Sequence, residues 1–283
     1  MTTPQPSDVA EIRMALKELL VQLDETDEAV LRLHLAVDLA LRHASRLTAL
    51  FVDEWNIAQI DQRPSPELSD GAHAASRRLR DDLERFHTER GLEFEWHYMR
   101  EFAGPAVKQA ALYADLCILC DQGSSNCANV DRAFCSDIAV NVGTPILFTP
   151  KSTRLSSVGR RIVIAWDSSR AATRALTDAI PLIEESDHTI ILNVDTGTHA
   201  QSTAGLQRLT ERLSRHGTHA EYLQIERVDG RSIGNLLQAR ATSLGADLMV
   251  AGAYGHARVT EKLFGGVTRD LLEKMQIPLL VSH

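Results

Sequence analysis

Between Ala251 and Thr268 the chain reads AGAYGHARVTEKLFGGVT. Its glycines, Gly252, Gly255, Gly265 and Gly266, are spaced G-x2-G-x9-G-G-V-T. Residues without Cβ let backbone amides close on a phosphate, and the hydroxyl of Thr268 adds a donor. The chemistry of such a stretch is anion binding by amides, with His256 and Arg258 as charged side chains that could approach phosphates. It is neither the P-loop, G-x4-G-K-[ST], nor the dinucleotide fingerprint G-x-G-x-x-G. A Walker ATPase and a dehydrogenase therefore lose their main support.

Anion-binding amides must be positioned by rigid elements. The apolar run Asp247 to Ala251 predicts a strand before the glycines, and Arg269 to Met275 a helix after them. In an open parallel α/β sheet, ligands lie beyond the carboxyl ends of the strands, where helix N-termini offer unpaired amides. The rest of the chain supplies such a sheet twice. Glu18 to Asp24 predicts a strand ending in an acid, followed by a helix from about Thr26 to His43 whose buried face would hold Leu31, Leu35, Val37, Leu39 and Leu41. Arg46 to Val52, Leu92 to Tyr98, Asp115 to Cys120 and Pro145 to Thr149 predict four more strands. A long loop from Asp53 to Asp70 and helices over Ala72 to Arg90, Ala106 to Tyr113 and Ala133 to Asn141 intervene.

After the linker-like Pro150 to Gly159 the order restarts with Arg160 to Asp167, a helix capped by Ser168 or Ser169 and running to about Glu185, and Thr189 to Val194. A helix from Thr203 to His216, a strand from His219 to Arg227, a helix from Ser232 to Leu244 and a closing strand from Ile277 to Ser282 complete it. Asp167 matches Asp24, Asp247 matches Asp115 and Pro278 matches Pro145, as a duplication requires. The fold class is α/β: two tandem, doubly wound, parallel five-stranded sheets, each a three-layer sandwich, because parallel neighbours need right-handed helical crossovers.

The chain has 283 residues, is 44% hydrophobic, and sets 38 acidic against 30 basic residues for a formal net charge of −8. That charge disfavours nonspecific attraction to nucleic acid or anionic membranes. With no signal-like start and no membrane-spanning run, the sequence reads as cytoplasmic. Cys117, Cys120, Cys127 and Cys135 all fall in the first half. CILC begins like a zinc knuckle, but a strand points residues three apart to opposite faces, so reduced thiols and no metal are expected.

Gly252-x2-Gly255-x9-Gly265, with Val267, Thr268 and an acid at Asp167 closing the first strand of its half, resembles the universal stress protein family. Both halves look like its domains, over 14–150 and 159–283, and the whole looks like a tandem member. The resemblance implies a Rossmann-like fold and adenine nucleotide binding, to AMP or to ATP with or without Mg²⁺, in the C-terminal half. By position, Asp167 would accept ribose hydroxyls, Val194 would offer its backbone to the adenine edge with Ala165 nearby, and Ala251 and Gly252 would approach the ribose. Gly255, Gly265, Gly266, Val267 and Thr268 would form the phosphate cradle. The family usually places Ser or Thr where this chain has Gly266. In the first half Cys120 stands at the place of Gly252, Arg132 or Ala133 at that of Gly265, and only Gly123 survives. That half is expected to be a degenerate partner, the last strands of the two halves pairing or packing in an intramolecular pseudo-dimer, as a monomer or within a homodimer.

The function so implied is a stress-response module with a nucleotide-dependent hold on an unspecified protein partner. The cradle has no Lys and no evident base, which argues against catalysis. The alternatives are a weak nucleotide-hydrolysing enzyme and an interaction scaffold with a vestigial site.

Overall fold

Apolar runs of four to eight residues, alternating with longer amphipathic stretches, fold into strands and covering helices in regular succession. The computed structural model describes residues 16–53, 66–120, 132–150, 157–195, 203–253 and 266–283. In the first half β1 (Glu18–Leu23), α1 (Asp27–His43), β2 (Arg46–Val52), α2 (Pro66–Arg90), β3 (Phe94–Met99), α3 (Ala103–Ala111), β4 (Leu116–Cys120), α4 (Arg132–Asn141) and β5 (Ile146–Thr149) follow one another. The second half runs β6 (Arg161–Ala165), α5 (Arg170–Asp178), α6 (Ile180–Glu184), β7 (His188–Asp195), α7 (Thr203–Arg215), β8 (Ala220–Glu226), α8 (Ile233–Ser243), β9 (Leu248–Gly252), α9 (Gly266–Glu273) and β10 (Leu279–Ser282). Among the described residues no helix is long and apolar enough to cross a membrane.

The strands form one sheet in the order β3-β2-β1-β4-β5-β10-β9-β6-β7-β8. The two five-stranded parallel halves expected from the sequence join edge to edge, their last strands pairing. The join is antiparallel, Leu279 opposite Phe148 and Val281 opposite Ile146. Pairing is the outcome expected of two apolar end strands: every residue of β5 and β10 is buried, and an unpaired apolar edge would template association. Helices cover both faces, α1, α2, α5, α6 and α7 on one core and α3, α4, α8 and α9 on the other.

The duplicated residues hold duplicated posts. Asp115 Oδ2 accepts the amides of Lys17 at 2.7 Å and Glu18 at 2.9 Å, tying the start of β1 to β4. Asp247 does the same for β6 and β9, accepting from Arg161 N at 2.8 Å, Arg160 N at 3.1 Å and Ser157 Oγ at 2.6 Å. The carbonyls of Pro145 and Pro278 accept from Cys117 N at 3.0 Å and Met249 N at 2.9 Å. Proline lacks an amide but keeps its carbonyl, so it suits the first step of a strand entering the sheet.

Three local differences from the sequence reading have physical causes. Helix α2 begins at Pro66, inside the expected loop, because proline's fixed φ suits the first helical position. The expected helix ending at Glu185 is two, α5 and α6, broken at Ala179; Pro181 has no N–H to give to the carbonyl of Thr177. In α1, Leu31 is 40% exposed whereas Arg32, one residue on, is 1% exposed. Arg32 is drawn inward by a buried acid described below.

The last turn of α1 touches the second half. Arg42 Nη2 donates to the carbonyl of Val158 at 2.9 Å, and His43 Nδ1 lies 3.3 Å from Glu185 Oε1. Burial lowers the pKa of His43, and nearby Arg42 and Lys17 add to this, outweighing Glu185 and Asp38. A histidine held below its unfolded value near 6.5 contributes stability above that pH and loses it as pH falls through the folded value. The melting-temperature difference between wild type and His43→Asn should therefore shrink between about pH 7 and pH 5. A difference constant over that range would show that His43 does not titrate in this contact.

Candidate nucleotide site at the switch point of the second half

Chain order in the second half runs outward from β6 to β7 and β8, then returns to β9 on the other side of β6. The carboxyl ends of β6 and β9 thus flank the point where strand order reverses, the position at which open α/β sheets leave a crevice. Asp167 follows β6 directly, Val194 is the penultimate residue of β7, and Gly252 closes β9. Ala165 pairs with both Ala251 and Leu192, so the ends are level. Ala165, Val194 and Ala251 pack in the core shared with α8 and α9, Ala251 buried and the other two half-buried. Together they present a small apolar floor at the carboxyl edge.

Asp167 is exposed, and its Oδ1 accepts the amide of Ser169 at 2.9 Å. Ser169 in turn caps α5, its Oγ accepting from Ala172 N at 3.0 Å. Of the two serines considered, Ser169 is the cap.

Gly252 has another reason to be glycine than left-handed backbone. A Cβ there would lie 2.5 Å from the carbonyl carbon of Ala171 and 2.8 Å from its Cβ, and would also collide with the amide of Ala172. The first turn of α5 rests directly on the end of β9. The residue type expected to approach a ribose is thus equally a requirement of helix–strand packing.

Helix α9 begins at Gly266, three residues before the expected start, so Gly266, Val267 and Thr268 are its first turn. That turn carries no acidic residue of its own, which suits the positive end of the helix dipole to an anion. Thr268 is 4% exposed. Gly266 is not in the left-handed region, and a Cβ built on it meets no atom of the described residues within 4 Å. Gly234, which the sequence reading passed over, fixes α9 against α8: a Cβ there would lie 2.5 Å from Asp270 Cβ and 3.0 Å from the carbonyl oxygen of Val267. Its only signal in sequence is a glycine two residues after the cap Ser232. Gly255, His256, Arg258 and Gly265 lie outside the described residues, as do Gly123 and Cys127.

The corresponding place in the first half is filled. Asp24, after β1, is 6% exposed. It accepts from Arg32 Nη2 at 2.8 Å, from Thr26 N at 3.0 Å and from the Thr26 hydroxyl. Burial pushes this carboxyl up, but Arg32 and the Thr26 bonds outweigh it and hold it below its ordinary value. Arg32 Nε also donates to the carbonyl of Gln22 at 2.6 Å. Cys120 closes β4 where Gly252 closes β9. Its neighbour Cys117 is inert, its thiol pushed up to about 12 by burial.

Residues 159–283 match the profile of the universal stress protein family, and that half of the chain is a universal stress protein domain. No curated protein matches the chain. Across its length the chain is similar in structure to a universal stress protein from Archaeoglobus fulgidus, with TM-score 0.73, 15% identity and coverage of 94% of this chain and 95% of that one. It is also similar to a provisionally assigned universal stress protein from Pseudomonas aeruginosa, with TM-score 0.58, 18% identity and coverage of 95% and 93%. At these identities the likeness establishes a shared fold, spanning both halves.

Proposed function

We propose that the chain is a stress-response protein of two domains, 14–150 and 159–283, that binds one adenine nucleotide, ATP or AMP, in the second. The observation that carries this reading is the convergence of Asp167, the backbone at Val194, the end of β9 and the first turn of α9 on one switch point. The equivalent place in the first half is closed by the Asp24–Arg32 ion pair. The groups gathered in the second half suit a nucleoside phosphate. An exposed carboxylate meets hydroxyls, a small apolar floor meets a planar base, and a helix N-terminus meets an anion. The described residues among them offer amides and hydroxyls, and none of these is a base partnered to activate water; the module on this reading works by binding, the nucleotide setting the order of the crevice and its contacts with a protein partner. Calorimetric titration with ATP and with AMP tests the reading. One site per chain is expected; two sites, or none, would overturn it.

Gly266→Ser is expected to tighten ATP by roughly three- to thirty-fold and AMP less, because the new hydroxyl at the helix start can donate to a charged distal phosphate. The described residues leave the Cβ position clear, and Gly266 is not in left-handed backbone, so neither strains the serine. Equal weakening of both nucleotides would reject the missing-hydroxyl argument.

A further inference from the structure

We propose that Asn193 and Ser168 are positioning residues for Asp167, holding its carboxylate toward the ribose; the assignment rests on the nucleotide reading above. Asn193 is 7% exposed in a strand whose other interior residues are almost all apolar. Its Nδ2 donates to the carbonyl of Trp166 at 2.9 Å. The amide of Trp166 donates to the carbonyl of Leu192 at 2.9 Å. The segment leaving β6 is therefore fastened to β7 by one backbone bond and one side chain, past the last residue of the strand. Two residues on, Ser168 has φ +61°, a left-handed conformation that costs a non-glycine residue energy unless its surroundings enforce it. Asp167 sits between these fixtures and accepts from Ser169 beyond them.

The first half makes the comparison. Phe51 stands at the place in β2 that Asn193 holds in β7, and it is fully buried, stacked on Tyr98 at 5.6 Å. The described turn after β1 has no left-handed residue. Asp24 and Asp167 both accept the amide two residues on. A turn after a parallel strand thus needs neither a buried amide side chain nor a strained serine to close. Both occur only where the carboxylate is exposed to the crevice, and strain of this kind gathers where geometry serves binding.

The test uses the full chain and Asn193→Leu, Ser168→Gly and Asp167→Ala. Dissociation constants are measured for ATP and for 2′,3′-dideoxy-ATP, and hydrogen exchange is followed at residues 166–169 without nucleotide. Asn193→Leu is expected to weaken ATP by roughly ten-fold and to erase discrimination between the two nucleotides, as Asp167→Ala does. Ser168→Gly, which relieves strain, is expected to keep or raise the melting temperature yet lose several-fold in ATP affinity. A purely structural role would lower stability and leave discrimination intact. Exchange in both positioning variants should quicken at 166–169. Discrimination retained in Asn193→Leu, or exchange unchanged, would overturn the proposal. A wild type that binds ATP without preferring it to the dideoxy form would do the same. A wild type that binds no adenine nucleotide overturns the function instead, and the exchange measurement still decides whether Asn193 and Ser168 fix the turn.

Discussion

Gly252→Val is expected to destabilise the second half by about 3 kcal/mol or more and to abolish nucleotide binding, the largest effect of any single substitution near the crevice. Even a methyl group at this position meets the backbone of Ala171 and Ala172. Backbone in a capped helix cannot swing aside as a flexible side chain can. Helix α5 must lift from the end of β9, and with it goes the turn that carries Asp167. The measurement is urea unfolding, with Gly266→Ala as the control, since its Cβ enters open space. A loss at Gly252→Val below about 1 kcal/mol, the size of an ordinary surface change, would show that α5 does not rest on β9 as described.

Arg32→Met is expected to cost about 3–5 kcal/mol, because it leaves the buried carboxylate of Asp24 without its cation. Nothing in the crevice of the second half is touched, so nucleotide affinity should hold as long as the chain is folded. The pH dependence provides a second readout. In the wild type Asp24 titrates below its unfolded value near 3.8, so its contribution is present above that pH and disappears as pH falls through the folded value. Without Arg32, burial is opposed only by the Thr26 and Gln22 bonds, and the carboxyl pKa moves up from its wild-type value. The variant then gains relative stability on acidification, and the two curves converge at low pH. Adding Asp24→Asn to Arg32→Met should restore part of the loss at neutral pH. Parallel curves, or no restoration, would mean that the ion pair is not what holds α1 on β1.

These residues also mark where sequence reading succeeds and stops. Strands such as ILFT, LCILC and LLVS are legible because a strand buried on both faces must be apolar throughout, and the matching of Asp115 with Asp247 identified a real shared task. Helix limits were less legible, since a proline early in a helix and a proline that breaks one look alike in a string. Arg32 could not be read at all. Charged residues on amphipathic helices are usually solvated, and only the three-dimensional neighbourhood of Asp24 makes its burial tolerable. In the candidate site, Asp167, Val194 and Gly252 lie at or next to the carboxyl ends of neighbouring strands, where the strand limits read from the sequence put them. Gly252 does so under a steric constraint that no motif encodes. Asn193 and Gly234 carry no signal beyond residue type, because a buried amide and a helical glycine acquire meaning only from what they face.

The antiparallel seam between β5 and β10 has a consequence for how the molecule can be read by others. Strands within each half run one way and the halves run opposite ways. The loops that follow the strands of the first half therefore emerge on one long side of the sheet, and those of the second half on the other. A visitor docking over Asp167 looks at the strand beginnings of the first half, among them the Asp115 anchorage, and never at Asp24 or Cys120. Each long side is a separate theatre for substitution: the first half could fill its crevice with an arginine without placing any steric demand on the glycines opposite.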